Sequence, residues 1–109
     1  MNVCMAQINT IVGDIAGNTQ RVLEVSAAQK KAGAQVMVFP ELTLAGYPPE
    51  DLLLRGDLLD RTEVALAILC AELPADLAVT IWRVLLHRSL PNFLLFSRIS
   101  QTLSIKTCL

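Results

Sequence analysis

The residue best placed to do chemistry is Glu41. It follows the run Val36-Met37-Val38-Phe39, and residues 35–39 read as a buried strand stopped by Pro40. A carboxylate delivered where a strand leaves the core sits in a poorly solvated place. Such a place favours its protonated form and suits it to general-base work on a nucleophile supplied elsewhere. The plainer alternative is an exposed loop carboxylate, or a cap for the next turn.

Other residues with chemical potential are fewer and weaker. Gly46-Tyr47-Pro48-Pro49-Glu50-Asp51 reads either as a stiff turn leading to a helix start or as a rigid pocket wall. In the second reading Tyr47 is held against a substrate. Gly13 and Gly17 form no GxGxxG or P-loop pattern, and turn and capping roles suffice for them. A cysteine nucleophile needs a base and a cation beside its thiol. Cys4 falls within a strand pattern and Cys70 within a helix rich in apolar residues, so both read as core fillers. Cys108 stands one residue from the last position, where little holds it, and His87 has no partner at ligand spacing. No zinc spacing and no disulfide framework is indicated.

The elements that must position Glu41 are legible. Residues 3–9 form a nearly continuous apolar run, read as a buried strand. A helix from Thr19 to Ala32 follows, with Asn18 as its N-cap and Gly33 just beyond its end. Its expected buried face is Val22, Leu23, Ala27 and Ala28. With the strand of residues 35–39 this makes a βαβ unit, whose two strands lie parallel across a right-handed crossover. Ligands of open α/β sheets bind beyond the carboxyl ends of the strands, which is where Glu41 falls. Residues 43–56 read as a loop with room for a helical turn at Glu50 to Leu54. A second helix from Leu58 to Glu72 buries Leu59, Val64, Leu66, Ala67 and Leu69 and stops before Pro74. Leu77 to Ile81 is a third strand.

The chain of 109 residues is 53% hydrophobic and 17% charged, apolar for a small domain, which predicts association or missing partners. With nine basic and ten acidic residues it has no basic patch for nucleic acid. No signal peptide and no membrane span is expected, and a reduced, cytoplasmic setting fits the cysteines. The character changes after Ile81. All ten acidic residues precede it, and residues 82–109 carry four basic residues and no clear period. This divides the chain into an ordered part, 1–81, and a poorly specified tail, 82–109.

Taken together, Ala6-Gln7-Ile8-Asn9, Val12-Gly13-Asp14-Ile15, Gly17-Asn18, Gly33-Ala34, Val38-Phe39-Pro40-Glu41 and Gly46-Tyr47-Pro48-Pro49-Glu50-Asp51-Leu52-Leu53 closely resemble the opening of the nitrilase (carbon–nitrogen hydrolase) superfamily. The Gly-Tyr-Pro-Pro-Glu-Asp extension is similar to the glutamine-dependent NAD synthetase branch. The resemblance implies the N-terminal part of an αββα sandwich: the βαβ unit, the second helix and the third strand. It implies a glutamate, lysine, cysteine triad that hydrolyses glutamine through a thioester. The ammonia then serves a separate synthetase domain, which uses ATP and magnesium to amidate nicotinate adenine dinucleotide. That domain has no counterpart here, so no cofactor is expected in this chain. A homo-oligomer is consistent with the family.

Only the glutamate of the triad carries over, onto Glu41. The family's lysine precedes a Leu-Pro pair, but Leu90-Pro91 here follows His87-Arg88-Ser89. Lys106 is followed by Thr107-Cys108-Leu109, and no cysteine stands in the nucleophile's context. The expectation is therefore an inactive fragment, with a tail that reads as frameshifted near codon 82. The rival readings are a fragment of another nitrilase-type amidase, or a non-catalytic interaction module.

Overall fold

The computed structural model describes residues 1–40, 42–46, 56–82 and 100–103. The described elements are strand β1 (Val3–Met5), helix α1 (Ile15–Lys31), strand β2 (Val36–Val38), helix α2 (Gly56–Glu72), strand β3 (Ala78–Trp82) and strand β4 (Ser100–Leu103). They build one sheet in the order β1-β2-β3-β4. The first three strands are parallel, with Cys4 beside Met37 and Met37 beside Val79. β4 runs antiparallel to β3, with Thr80 opposite Thr102. The α/β class, the βαβ unit, the second helix and the third strand are as expected. β4 is an addition, drawn from the segment to which sequence reasoning assigned no regular structure.

Right-handed crossovers in a sheet laid down in one direction put both helices on one face. α1 and α2 accordingly pack against each other. Beneath them lie Met37, Val79 and Ile81, all buried, with Val22 from α1 and Leu69 from α2 in the same core. On the other face Val3 and Met5 are exposed. The sheet is covered on one side only among the described residues.

α1 begins four residues before Thr19, its expected first residue, at Ile15. Its N-cap is Asp14, whose carboxylate accepts from the backbone N–H of Gly17 at 3.1 Å. Asn18 is an interior, buried residue and not the cap. The buried stripe is Ile15, Asn18, Thr19, Val22 and Ser26, while Ala27 and Ala28, expected inside, are exposed. Three of those five are polar. Thr19 is satisfied by the carbonyl of Ile15 at 2.6 Å.

The C-terminus follows expectation. Gly33 has φ +99°, its N–H bonds to the carbonyl of Lys30, and the N–H of Ala34 bonds to that of Gln29. This pair of bonds is the Schellman closure that a left-handed glycine permits. α2 buries Leu58, Thr62, Ala65, Leu66 and Leu69, at helical spacing. Val64 and Ala67, expected inside, face out.

Candidate active site

Parallel strands bring their carboxyl ends to one edge, and there the chain leaves β2. The N–H of Ala6 donates to the carbonyl of Val38 at 2.8 Å, and the N–H of Phe39 donates to that of Thr80 at 3.2 Å. β2 is thus held from both sides up to its last residue. Phe39 is buried and Pro40 is exposed. Glu41 and Tyr47, the two candidate site residues, lie outside the described residues, as do Glu50, Asp51, His87 and Cys108. The described residues on each side of Glu41 are Pro40 and Leu42.

Residues 42–46 are all buried, which is unusual for a loop, because its backbone polar groups must then find partners. The carbonyl of Pro40 accepts from the Thr43 hydroxyl at 2.5 Å. The carbonyl of Leu42 accepts from the N–H of Gly46 at 2.9 Å, and that of Ala45 from the N–H of Gly13 at 2.9 Å. The carbonyl of Leu44 accepts from Asn18 Nδ2 at 2.9 Å. Asn18 also donates to the carbonyl of Ile11 and accepts from its N–H, both at 2.9 Å. One buried amide therefore joins α1, the loop after β1 and the loop after position 41.

Two backbone conformations stand out in this loop. Leu42 has φ +53°, the left-handed region, and is the described non-glycine residue with positive φ. Such a conformation costs a branched residue about 1–2 kcal/mol. Gly46 has φ +82°, and a Cβ there would meet Ile11 O and Val12 N and Cα at 2.7 Å. The glycine lets the two loops touch backbone to backbone.

A concavity lies away from this edge. A groove of about 500 Å³ runs between α1 and α2, lined by Thr19, Leu23, Asp60, Arg61, Val64 and Ile68 among others, and by no residue of 40–46. At its rim Arg61 Nη2 donates to the carbonyl of Gly13 at 3.4 Å. Among the described residues no group of three His, Cys, Asp or Glu could hold a metal ion, and no helix is long and apolar enough to cross a membrane. Cys4 is a free thiol packed against the core. Cys70 is half-buried on α2 and packs against the same core, as the core-filler reading expects. Exposed Asp76, in the turn before β3, is held below its ordinary carboxyl value by its hydrogen bond with Lys30, a half-buried residue in the last turn of α1.

Sequence reasoning located the strand edge but missed the parts that shape it. Asn18 was assigned to a cap, although Asp14-x-x-Gly17 offers a better one and Asn18 falls on the Ile15–Val22 stripe. Leu42 carries no signal of its φ.

Comparison with known proteins matches this geometry. The carbon-nitrogen hydrolase family model covers residues 2–93. The glutamine-dependent NAD(+) synthetase of Xanthomonas campestris is 42% identical over 83 residues, which cover 75% of this chain and 15% of the relative. That of Mycobacterium bovis is 49% identical over 69 residues, 63% of this chain and 10% of the relative. The solved structure of the Acinetobacter baumannii glutamine-dependent NAD+ synthetase with ADP matches with a TM-score of 0.74 and 37% identity, over 80% of this chain and 16% of that one. A Cytophaga hutchinsonii synthetase shares the fold at the same TM-score, 0.74, with 22% identity. This chain spans about 15% of the length of curated relatives such as the Xanthomonas campestris enzyme. By family match, by fold and by the Phe-Pro-Glu step at the end of its second strand, the chain belongs to the carbon-nitrogen hydrolase family.

Proposed function

We propose that this chain is part of a glutaminase domain of the glutamine-dependent NAD synthetase type. The observation that carries the reading is the family match across a strand, β2, that ends one residue pair before Glu41 at the carboxyl edge of a parallel sheet. In the complete site Glu41 takes the proton of a cysteine thiol as the sulfur attacks the amide carbon of glutamine. It returns that proton to the nitrogen as ammonia leaves. Water, deprotonated by the same carboxylate, then cleaves the thioester and frees glutamate. A lysine ammonium stabilises each tetrahedral oxyanion. Tyr47 walls the pocket. The ammonia passes to a synthetase domain that uses ATP and magnesium.

Neither the lysine nor the cysteine stands in its family context in this chain, so the chain alone is predicted not to release ammonia from glutamine. Glu41-dependent turnover by the isolated chain would overturn that. A chimaera tests the function itself. Residues 1–82 are placed in the corresponding stretch of the Xanthomonas campestris enzyme, and NAD formation is measured with glutamine and with free ammonia. Both are expected to support synthesis. Glu41→Gln in the chimaera is expected to lower the glutamine-driven rate about a hundred- to ten-thousandfold and to spare the ammonia-driven rate. Equal loss of both rates, or loss of neither, refutes the assignment of Glu41.

A further inference from the structure

We propose that the groove between α1 and α2 is the contact surface for a second copy of this chain, which lays its own α2 there in the reverse direction. Val64 and Ile68 line the groove and are 61% and 40% exposed. Val64 reads as a core residue from its type alone. The sheet-facing side of α2 is nevertheless filled by Thr62, Ala65, Leu66 and Leu69, and Val64 is left to solvent. The opposite wall of the groove carries Gln20 and Leu23 of α1. An apolar strip with a charged rim is the anatomy of a contact surface.

The charges on the rim select the occupant. Along α2, Arg61 stands one turn before Val64, and Glu72 stands one turn after Ile68. Arg61, Val64, Ile68 and Glu72 step by three or four residues, so they keep to one side of the helix, and all four line the groove. The strip is basic at its first end, apolar in the middle and acidic at its last. A two-fold contact requires a surface that complements itself. Reversing one α2 against another at the level of Leu66 sets Val64 against the second copy's Ile68. The same reversal sets Arg61 against the second copy's Glu72, and symmetry makes each pairing twice. An unrelated partner gives no reason for opposite charges at matched distances from the apolar pair. Both charges are available, because among the described residues neither Arg61 nor Glu72 is in an ion pair. Arg61 makes only the 3.4 Å hydrogen bond to the carbonyl of Gly13, which leaves most of its donors unused. Asp60 lies on the rim beside Arg61, and one guanidinium can serve it and the second copy's Glu72 together.

The test is sedimentation velocity of the 109-residue chain over a range of concentrations, with circular dichroism to show that each variant keeps its helices. The wild-type chain is expected to exchange between monomer and dimer. Val64→Glu puts an unpaired charge into the contact and is expected to weaken the dimer about a hundredfold. Arg61→Glu and Glu72→Arg each turn two attractions into two repulsions, and each is expected to weaken it about tenfold. The double variant, Arg61→Glu with Glu72→Arg, restores opposite charges and is expected to associate like wild type. An equimolar mixture of the two single variants is expected to do the same. A chain that stays monomeric at every concentration overturns the proposal. So does association that Val64→Glu leaves unchanged, which would assign the contact to another surface, such as the exposed Val3 and Met5. Charge reversals without effect, or a double variant no tighter than the single ones, overturn the reversed pairing. Should Val64→Glu not fold, the charge reversals decide alone, because both positions are exposed.

Discussion

Two glycines are crowded by their neighbours, and the more crowded one is predicted to matter less. A Cβ at Gly17 would lie 2.2 Å from Asp14 Oδ2, whereas one at Gly46 would lie 2.7 Å from Ile11 O and Val12 N and Cα. What differs is the nature of the obstacle. Asp14 is an exposed side chain and can rotate away. Doing so gives up the cap, worth about 1 kcal/mol. Alanine in place of glycine in a helix returns about 1 kcal/mol. Gly17→Ala should therefore fall within about 1 kcal/mol of wild type. At Gly46 the obstacle is backbone on both sides of the contact, and φ is +82°. The left-handed conformation costs alanine about 1–2 kcal/mol. Forcing the loops apart adds about 1–3 kcal/mol. Gly46→Ala should thus lose about 2–5 kcal/mol. Urea unfolding, followed by Trp82 fluorescence and far-ultraviolet circular dichroism, gives both differences from midpoints and slopes. A Gly46→Ala chain as stable as wild type, or a Gly17→Ala chain more damaged than Gly46→Ala, would refute the backbone contact as the deciding obstacle.

Three further outcomes are expected. Ser26 Oγ is fully buried with no hydrogen-bond partner among the described residues, so Ser26→Ala should be neutral or stabilise by up to about 1 kcal/mol, and a clear loss in urea midpoint would show that the hydroxyl has a partner after all. Leu69 is fully buried between α2 and the sheet, so Leu69→Ala should cost about 2–5 kcal/mol in the same assay, with a smaller loss showing that the site collapses onto the gap. The lowered Asp76 carboxyl contributes stability that is present above the ordinary carboxylate range and disappears as pH falls through its folded value below 3.8. Asp76→Asn should therefore be slightly less stable than wild type at neutral pH and equal to it in acid, with the gap closing in high salt because Asp76 is exposed. A gap that widens in acid reverses the assigned sign.

The order of elements was legible because apolar runs and glycine punctuation are strong local signals. Gly33 marked the end of α1, and the Pro40 step marked the end of β2. Ladder lengths were overestimated: residues 3–9 were read as a strand, but only Val3–Met5 pairs regularly before the chain turns into the loop that meets Gly46. The buried stripe of α1 was misjudged because hydropathy cannot flag Asn18, Thr19 and Ser26 as interior. Their burial depends on partners supplied by loops distant in sequence. The same holds for Leu42, since leucine at positive φ is imposed by tertiary contacts and has no composition cue. The family resemblance identified position 41. The ties on its flanks came only from the fold.

The bond from Asn18 to Leu44 closes a span of 26 residues, and the parallel register of β1 with β2 closes one of 33, as in the Asn2–Gln35 bond. Neither closure can begin as a hairpin, because parallel strands require the whole crossover first. Contacts this far apart in sequence tend to form late and slowly. The loop of residues 42–46 therefore depends on closures that no local element can make, the sheet's being the longer of the two. A partly folded chain can hold its helices before either closure is made. Protection of the Gly13 and Gly46 amides from hydrogen exchange would then report that the crossover has closed.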